Sequence, residues 1–576
     1  MALSLGAAAI VLVPYATVTL HHRQALVAQG VGVLFVVLTM LVTGALRGGP
    51  WNVRLDRIKL PLFGLGLWVA AALLGSASGV LHGNDPTLLA GQLLSLGLLP
   101  FGALAGAALS SAGVWRWFRW GLVGATAAAA LVHLGFWAWS LTSGAVFGRL
   151  LFHNNVSPIG VSLLSLLAAL SLAVGGPRRQ RLAGALCAAA IGLFILGSAV
   201  RSLWLVSVLA VAVFGLVTAV RGGFPAKLLL GVAAGILGCL LLLSGLIAAW
   251  LRPVRPNLLP DNGVSPTRGG VSPAVAVVPA PLEQGGFAFV WERSFPRSVP
   301  LARVGIGEGG VYRLRAWFRG RGGGSSRVAL HCKEPWAGYC GSGFVRCRPT
   351  EAWRLGESIF LLPAGSTVCH IAFEVDDDAS GVWMARPVSL ERLGGPSFVP
   401  LLALQLHAIW TRTGGVLADM RSGAGIQDGT IAGRLAESAA VMEAFRDSGV
   451  KGKLLGRGLG ATFRFTTSVL DARDRWQTIE SPNYIHNFFL FLLFKLGALG
   501  AAAVVVALAA WIGWTAKSAG KLLPRAEGVF LAAAAVAWAA YALWSVACPE
   551  ILDFRVAPLW GLLLTASADA SLGSGR

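Results

Sequence analysis

About twelve stretches of roughly twenty apolar residues recur along this chain, and that is the length a helix needs to cross the hydrocarbon core of a bilayer. They fall near 4–20, 25–46, 60–81, 89–110, 117–141, 157–175, 182–200, 203–220, 226–250, 486–514, 526–547 and 556–570. Composition excludes an ordinary soluble protein: of 576 residues 55% are hydrophobic and 13% charged, with a mean hydropathy of +0.69. So apolar a chain has to place most of its helices in lipid. The first window is short and little positive charge precedes it, so it reads as a retained helix and not as a cleaved signal peptide.

The connecting charges set the orientation. With the N-terminus inside, the inside loops carry Arg47, Arg54, Arg57 and Lys59, then Arg116 and Arg119, then Arg178, Arg179 and Arg181, then Arg221 and Lys227, then Lys517, Lys521 and Arg525. The short outside loops carry mainly Arg23, Arg149 and Arg555. This positive-inside bias places residues 252–485 outside. Much of the net charge of +21 is therefore orientation signal and lipid-headgroup contact, and it does not point to nucleic acid as a partner.

The chain divides into nine transmembrane helices over 1–252, a Pro-rich linker over 253–285, a β-patterned segment over 286–396, outer helices and a Gly-rich loop over 397–484, and three last transmembrane helices over 485–576. In "VYRLRAWFRG", Tyr312, Leu314, Ala316 and Phe318 face one way and Arg313, Arg315, Trp317 and Arg319 the other; "IAFEVD" alternates likewise. Gly, Pro and Ser clusters between such runs argue for an antiparallel sandwich. Cys332, Cys340, Cys347 and Cys369 fall inside it. An oxidising exterior favours two disulfides among them, with the pairing open; zinc is the alternative, without CxxC spacing to support it.

"YRLRAWFRG", "LLPAGSTVCHIAFEVD" and "GVWMARPVSLERL" resemble a carbohydrate-binding jelly roll of the galactose-binding-like type over roughly 110 residues. The sandwich is then either a structural insert or a glycan-binding one, and Trp317, Trp336 and Trp353 are the candidates for stacking on sugar rings.

Beyond the sandwich, "FVPLLALQLHAIW" is amphipathic and too short to span, which places it at the interface. A helix over 434–447 carries Leu435, Ala439, Met442 and Phe445 on one stripe. "LLGRGLGATF" follows, and a GxGxG run of this kind can cradle a phosphate through backbone N–H groups, a weak signal by itself. Next, "ESPNYIHNFFLFLLFKLGALG" returns the chain to the membrane and sets His486 at the outer mouth of the bundle. Two roles are open to it: a helix-start histidine capping with Asn487, or a functional imidazole.

Arg201, in "LGSAVRSLWLVSV", is the one charge in the apolar residues from 182 to 220, on the outer side and against the positive-inside bias. It snorkels to headgroups or holds an anion, for which a guanidinium fork suits phosphate. The outer loop "RLLFHNNVSPIG" adds Arg149, His153, Asn154 and Asn155 to the same side. Lys495, about three turns into its helix, either snorkels or holds a phosphate. Asp376, Asp377 and Asp378 read as a solvated turn, and the pair His21 and His22 as interfacial.

"LFHNNVSPIG", "LGSAVRSLWLVSV", "GRLAESAAVMEAF", "LLGRGLGATF" and "SPNYIHNFFLFLLFKLGALG" resemble, in order and side of the membrane, the motifs of the O-antigen ligase and Wzy-type polymerase superfamily. The histidine–asparagine pair with its downstream glycines, His486, Asn487, Gly497 and Gly500, carries the resemblance most strongly. Lys495 departs from the pattern, and the β insert is not general in the family. The fold class the resemblance implies is an all-α polytopic membrane protein of about twelve transmembrane helices with a periplasmic β-sandwich insertion, in a bacterial inner membrane.

The resemblance also implies a glycosyltransferase acting on an undecaprenyl-diphosphate-linked glycan, with a second glycan (polymerase) or the lipid A core (ligase) as acceptor. His486 would be the general base. Arg201 would stabilise the leaving diphosphate, with Asn487, Arg434, Arg457, Arg464, His153, Asn154, Asn155 and Lys495 as substrate-binding residues. A single displacement would invert the anomeric centre, with no cofactor and no metal. The other readings are a protein O-oligosaccharyltransferase and a polysaccharide transporter or sensor without chemistry.

Overall fold

The computed structural model describes residues 2–13, 22–46, 58–109, 113–142, 159–198, 200–222, 257–259, 276–279, 287–292, 298–306, 308–321, 326–333, 344–347, 350–362, 368–375, 381–395, 404, 429–470, 476–480, 485–548, 550–553 and 556–572. The apolar window at 226–250, the segment "FVPLLALQLHAIW" apart from Leu404, His21, Arg149, His153, Asn154, Asn155, Trp336, Cys340 and Asp376 to Asp378 lie outside them.

Eleven of the expected apolar windows are helical: α1 (Ala2–Leu12), α2 (His22–Leu46), α3 (Lys59–Leu81), α4 (Pro86–Ala108), α5 (Val114–Thr142), α6 (Ile159–Gly175), α7 (Arg178–Gly197) and α8 (Arg201–Gly222), then, after the shorter helices α9 (Gly429–Arg446) and α10 (Val450–Leu455), α11 (Phe488–Leu522), α12 (Ala526–Trp544) and α13 (Ala557–Leu572). Among the described residues seven helices are long and apolar enough to cross a membrane.

The helix ends sort into two groups. At one end the Trp115 N–H donates to Asp569 (3.3 Å) and Arg116 approaches Glu527 (3.8 Å). At the other the α3–α4 turn, the starts of α8 and α11 and the end of α12 meet, through Asn84, Ser202, Phe488 and Ser545. An up-and-down chain with short turns produces this sorting.

Aromatic rings fill the bundle centre: Trp68, Trp511, Trp538 and Trp560 follow one another at centroid separations of 5.7, 5.0 and 4.3 Å. The indole N–H groups of Trp68 and Trp511 donate to the carbonyls of Leu96 (2.9 Å) and Pro61 (3.1 Å), whereas those of Trp538 and Trp560 are buried without a hydrogen-bond partner among the described residues. Where α4 crosses α13, a Cβ on Gly102 would fall on the Pro558 backbone and one on Gly561 on the Leu99 carbonyl. Helices in lipid gain their contact from such small residues, because apolar burial drives little association there.

The insert is a two-sheet antiparallel sandwich. One sheet has the order β1-β2-β9-β4-β7 and the other β3-β8-β5-β6, from β1 (Ala276–Pro279), β2 (Phe287–Glu292), β3 (Ser298–Gly305), β4 (Gly310–Arg321), β5 (Ser326–Lys333), β6 (Phe344–Cys347), β7 (Thr350–Leu362), β8 (Val368–Val375) and β9 (Val382–Gly394). The alternation in β4 is the one the sequence implies: Tyr312, Leu314, Ala316 and Phe318 are buried, and they meet Val328, Ile371 and Phe373 of the facing sheet. Cys369 is disulfide-bonded, and the β5–β8 register puts Cys332 directly opposite it. A small two-stranded ribbon, β10 (Thr466–Leu470) and β11 (Trp476–Glu480), lies between α10 and α11.

Ion pairs line the outer surfaces of the sandwich, including Arg313–Glu391, Arg315–Glu357, Arg392–Glu308 and Arg327–Glu374. Burial works to raise the Glu374 carboxyl, but the hydrogen bond from His331 and the charge of Arg327 overcome it and hold the carboxyl at about 2, against 4.5 ordinarily. A carboxyl depressed in the folded state stabilises the fold above its unfolded pKa, and that contribution disappears as pH falls through the folded value. The sandwich is therefore expected to lose about 3 kcal/mol between pH 4.5 and about 2. Glu374→Gln should remove most of this dependence, read as the acid limb of insert melting by hydrogen exchange.

Candidate functional site

The site is built where α11 begins. Asn487 is its N-cap: the side-chain oxygen accepts from the N–H groups of Phe489 (3.0 Å) and Leu490 (3.1 Å), orphan donors at every helix start. The next N–H, that of Phe488, donates to the Ser545 carbonyl at the end of α12 (2.9 Å). Trp544, adjacent, donates from its indole to the Ser202 hydroxyl (3.1 Å) at the start of α8. The helix that opens with Arg201 and the helix that follows His486 are thus both fastened to the end of α12, which brings the two sequence-distant motifs to one place.

The glycine-rich loop holds this end from the other side. Gly456, Gly458 and Gly460 all have positive φ, at 76°, 81° and 80°. The Arg457 and Gly458 N–H groups donate to the carbonyls of Phe494 and Lys495, both at 2.9 Å; Leu459 donates to Gly75 (2.9 Å) and Gly460 to the Gln92 side chain (2.9 Å). Asn84 donates from its amide to the carbonyls of Arg457 (2.8 Å) and Leu459 (2.9 Å). These backbone donors are spent on α3, α4 and α11, so the loop is a structural clasp and not the phosphate cradle its composition suggests.

The clasp depends on a break in α11. Gly497 has φ 69° and ψ −177° inside the helix, a kink that releases carbonyls of the preceding turn to the loop. Gly456 and Gly497 pass so closely that a Cβ on either would fall on the backbone N of the other. Only glycine adopts this region without strain.

Lys495, two residues earlier, is fully buried, and its ammonium donates to the Ala461 carbonyl. That places the Lys495 side chain in the clasp. Arg457 points back to α9, donating from Nε to the Ser448 hydroxyl (3.1 Å) and from Nη2 to the Ala444 carbonyl (3.0 Å). Arg464 is exposed on the far side of the loop.

His486 finds its partner on α9. The Glu437 carboxylate accepts from the His486 N–H (3.0 Å) and from Nδ1 (2.9 Å). The carboxylate is 2% exposed and the imidazole 38%, so the ring is reachable and the group that orients it is not. A neutral imidazole that donates from Nδ1 carries its basic lone pair on Nε2. One turn before Glu437, Arg434 is half-buried, with a fully buried Nε that has no hydrogen-bond partner. Residues three apart on a helix share a face, so guanidinium and dyad look the same way.

The stripe expected on α9 is not the one it buries. Leu435 and Ala439 are exposed and Met442 and Phe445 half-buried, whereas Glu437 and Val441 are buried and Ser448 beyond the helix end with them. The helix turns Val441 and its carboxylate inward, toward the side where the His486 and Arg457 bonds are made. Glu437 is the candidate functional residue that the apolar stripe conceals. Its signal in the sequence is the alternative phase Arg434, Glu437, Val441, Ala444, Ser448, whose small side chains mark a close-packed face.

No family model and no curated protein matches the sequence. Among solved structures the chain is similar to a Family 16 Carbohydrate Binding Module-2, with 20% identity and a TM-score of 0.18 over 23% of this chain and 99% of that one. It is also similar to the carbohydrate binding module CBM6cm-2 from Cellvibrio mixtus lichenase 5A in complex with cellotriose, with 13% identity and a TM-score of 0.17 over 24% and 96%. A third similarity, to the enzymatically active domain of bacteriophage CBA120 tailspike protein 4, has 13% identity and a TM-score of 0.19 over 24% of this chain and 21% of that one.

Two substitutions test the geometry at this end. Asn487→Ala should cost about 1 kcal/mol and Asn487→Asp little, because aspartate caps equally well. Gly497→Ala should cost at least about 3 kcal/mol, the sum of a forbidden φ and a backbone collision. Thermal unfolding of the purified protein in detergent measures both.

Proposed function

We propose that this protein is a membrane glycosyltransferase that moves a glycan from a polyprenyl diphosphate carrier to an acceptor hydroxyl at the outer face of a bacterial inner membrane. About twelve spanning helices with a periplasmic sandwich complete the reading. The observation that carries it is the His486–Glu437 pair, a reachable imidazole oriented by a buried carboxylate, with the unpartnered Arg434 Nε one turn away.

The chemistry follows from those groups. The acceptor oxygen attacks the anomeric carbon while Nε2 of His486 takes its proton, and the bond from that carbon to the diphosphate breaks with its electron pair on the leaving oxygen. Glu437 holds the imidazole in the productive tautomer and balances the charge the ring gains, as a positioning residue that does not touch substrate. The developing negative charge needs a fixed cation in a water-poor cleft. Arg434 and Arg201 are assigned that work, and the displacement inverts the anomeric centre. Polymerase and ligase differ in the acceptor alone. In either, the sandwich holds the glycan by stacking on Trp317 and Trp353.

The surface glycolipid profile of a deletion strain tests the reading when complemented with wild type, His486→Ala or Glu437→Gln. Wild type should restore the ladder. His486→Ala should give either core capped by single repeats, as for a polymerase, or naked core with full-length chains kept on the carrier, as for a ligase. Glu437→Gln should give the same defect more weakly, because an amide orients the ring but does not balance its charge. A ladder unchanged by deletion contradicts the reading.

A further inference from the structure

The outer face of the five-stranded sheet has an unusual content for a solvated surface. Trp317, half-buried on β4 beside the edge strand β7, stands in register with Leu355 of β7 and Arg386 of β9. Leu355 is 48% exposed. Arg319, two residues along β4, points to the same face as Trp317, since the intervening Phe318 and the following Gly320 are buried. In β7, Trp353 is two residues before Leu355 and shares its face by strand alternation. Two indoles of adjacent strands and an exposed leucine therefore lie side by side, flanked by guanidinium groups.

The described ion pairs on this face are unevenly placed. Arg315 is matched by Glu357 at 2.7 Å and Arg313 by Glu391, which leaves that half of the face neutral. At the Trp317 half no described ion pair includes Arg319. A half-buried aromatic platform beside an exposed leucine offers a contact for the face of a sugar ring, whereas a guanidinium fork beside it takes a carboxylate or an acidic ester in bidentate fashion.

We propose that this face of the insert docks an anionic saccharide, with Trp317 stacked on a ring and Arg319 paired to its acidic group. The inference rests on the glycan-holding role given above to the sandwich and adds the class of glycan: one that carries a uronic acid or a comparable acidic substituent. Arg319 selects the charge and Trp317 supplies the contact common to all pyranoses, so the two residues have separable effects.

The test is calorimetric titration of the full-length protein in nanodiscs of zwitterionic lipid, with oligogalacturonate and with a neutral cello-oligosaccharide of equal length. Oligogalacturonate should bind at least about tenfold tighter, and its advantage should shrink as salt rises from about 50 to about 500 mM. Arg319→Gln, a surface change, should bring its affinity down to that of the neutral probe, and Trp317→Ala should weaken both. Equal affinity for the two probes in wild type would overturn the charge selection and leave the glycan-holding role standing. Binding of neither would overturn both. Oligogalacturonate binding indifferent to both substitutions, or retention of the protein on anionic phosphatidylglycerol vesicles lost on Arg319→Gln without saccharide binding, would overturn the proposal in favour of another surface or of lipid as the occupant.

Discussion

The contact between Gly456 and Gly497 governs the arrangement of the bundle end at which α11 begins. Two chain segments pass there with no side chain between them, and each uses a backbone conformation open only to glycine. The kink at Gly497 interrupts the hydrogen-bond ladder of α11, and the carbonyls of Phe494 and Lys495 accept instead from Arg457 and Gly458. Because polar backbone groups at membrane depth have to be satisfied within the protein, this exchange fixes the loop and the helix together. The buried ammonium of Lys495, bonded to the Ala461 carbonyl, and the Asn84 amide, bonded to two loop carbonyls, close the same seam.

What the seam positions is α9. Arg457 leaves the loop with its backbone held by α11, and its guanidinium binds the last turn of α9 through Ala444 and Ser448. That anchor and the Glu437–His486 bonds lie about two turns apart along α9, so the helix is tied at two points to elements that are themselves tied to each other. A carboxylate as buried as Glu437 is costly unless its acceptors are used. One oxygen receives both the backbone and the ring N–H of His486. A buried acidic group aimed at a reachable imidazole is an arrangement that stability alone does not call for, which is the physical reason to read it as functional.

Much of this was legible in the sequence. Apolar windows located the helices, and strand alternation located the buried face of β4, because both periodicities follow directly from burial. His486 stood out by its place at a helix entry, and its neighbour Asn487 as a cap. Glu437 was not legible in the same way: α9 buries Glu437 and Val441 and leaves Leu435 and Ala439 exposed, so its apolar stripe does not mark the inward face. The glycine run misled for a related reason. Its composition is that of an anion cradle, and only the register with Phe494, Lys495, Gly75 and Gln92 reveals that the donors are already taken. Contacts between residues hundreds of positions apart leave no periodic trace in one sequence.

In the proposed mechanism the His486 imidazole takes the proton from the acceptor. The most direct measurement is single-turnover transfer by purified protein in nanodiscs from a synthetic polyprenyl-diphosphate glycan, comparing wild type with His486→Ala in the presence and absence of added imidazole. The account predicts a fall of about 10²–10⁴-fold in the rate, unchanged donor affinity, and partial recovery by imidazole in the variant alone. Transfer at the wild-type rate by His486→Ala, or a loss explained wholly by weaker donor binding and untouched by imidazole, would contradict it.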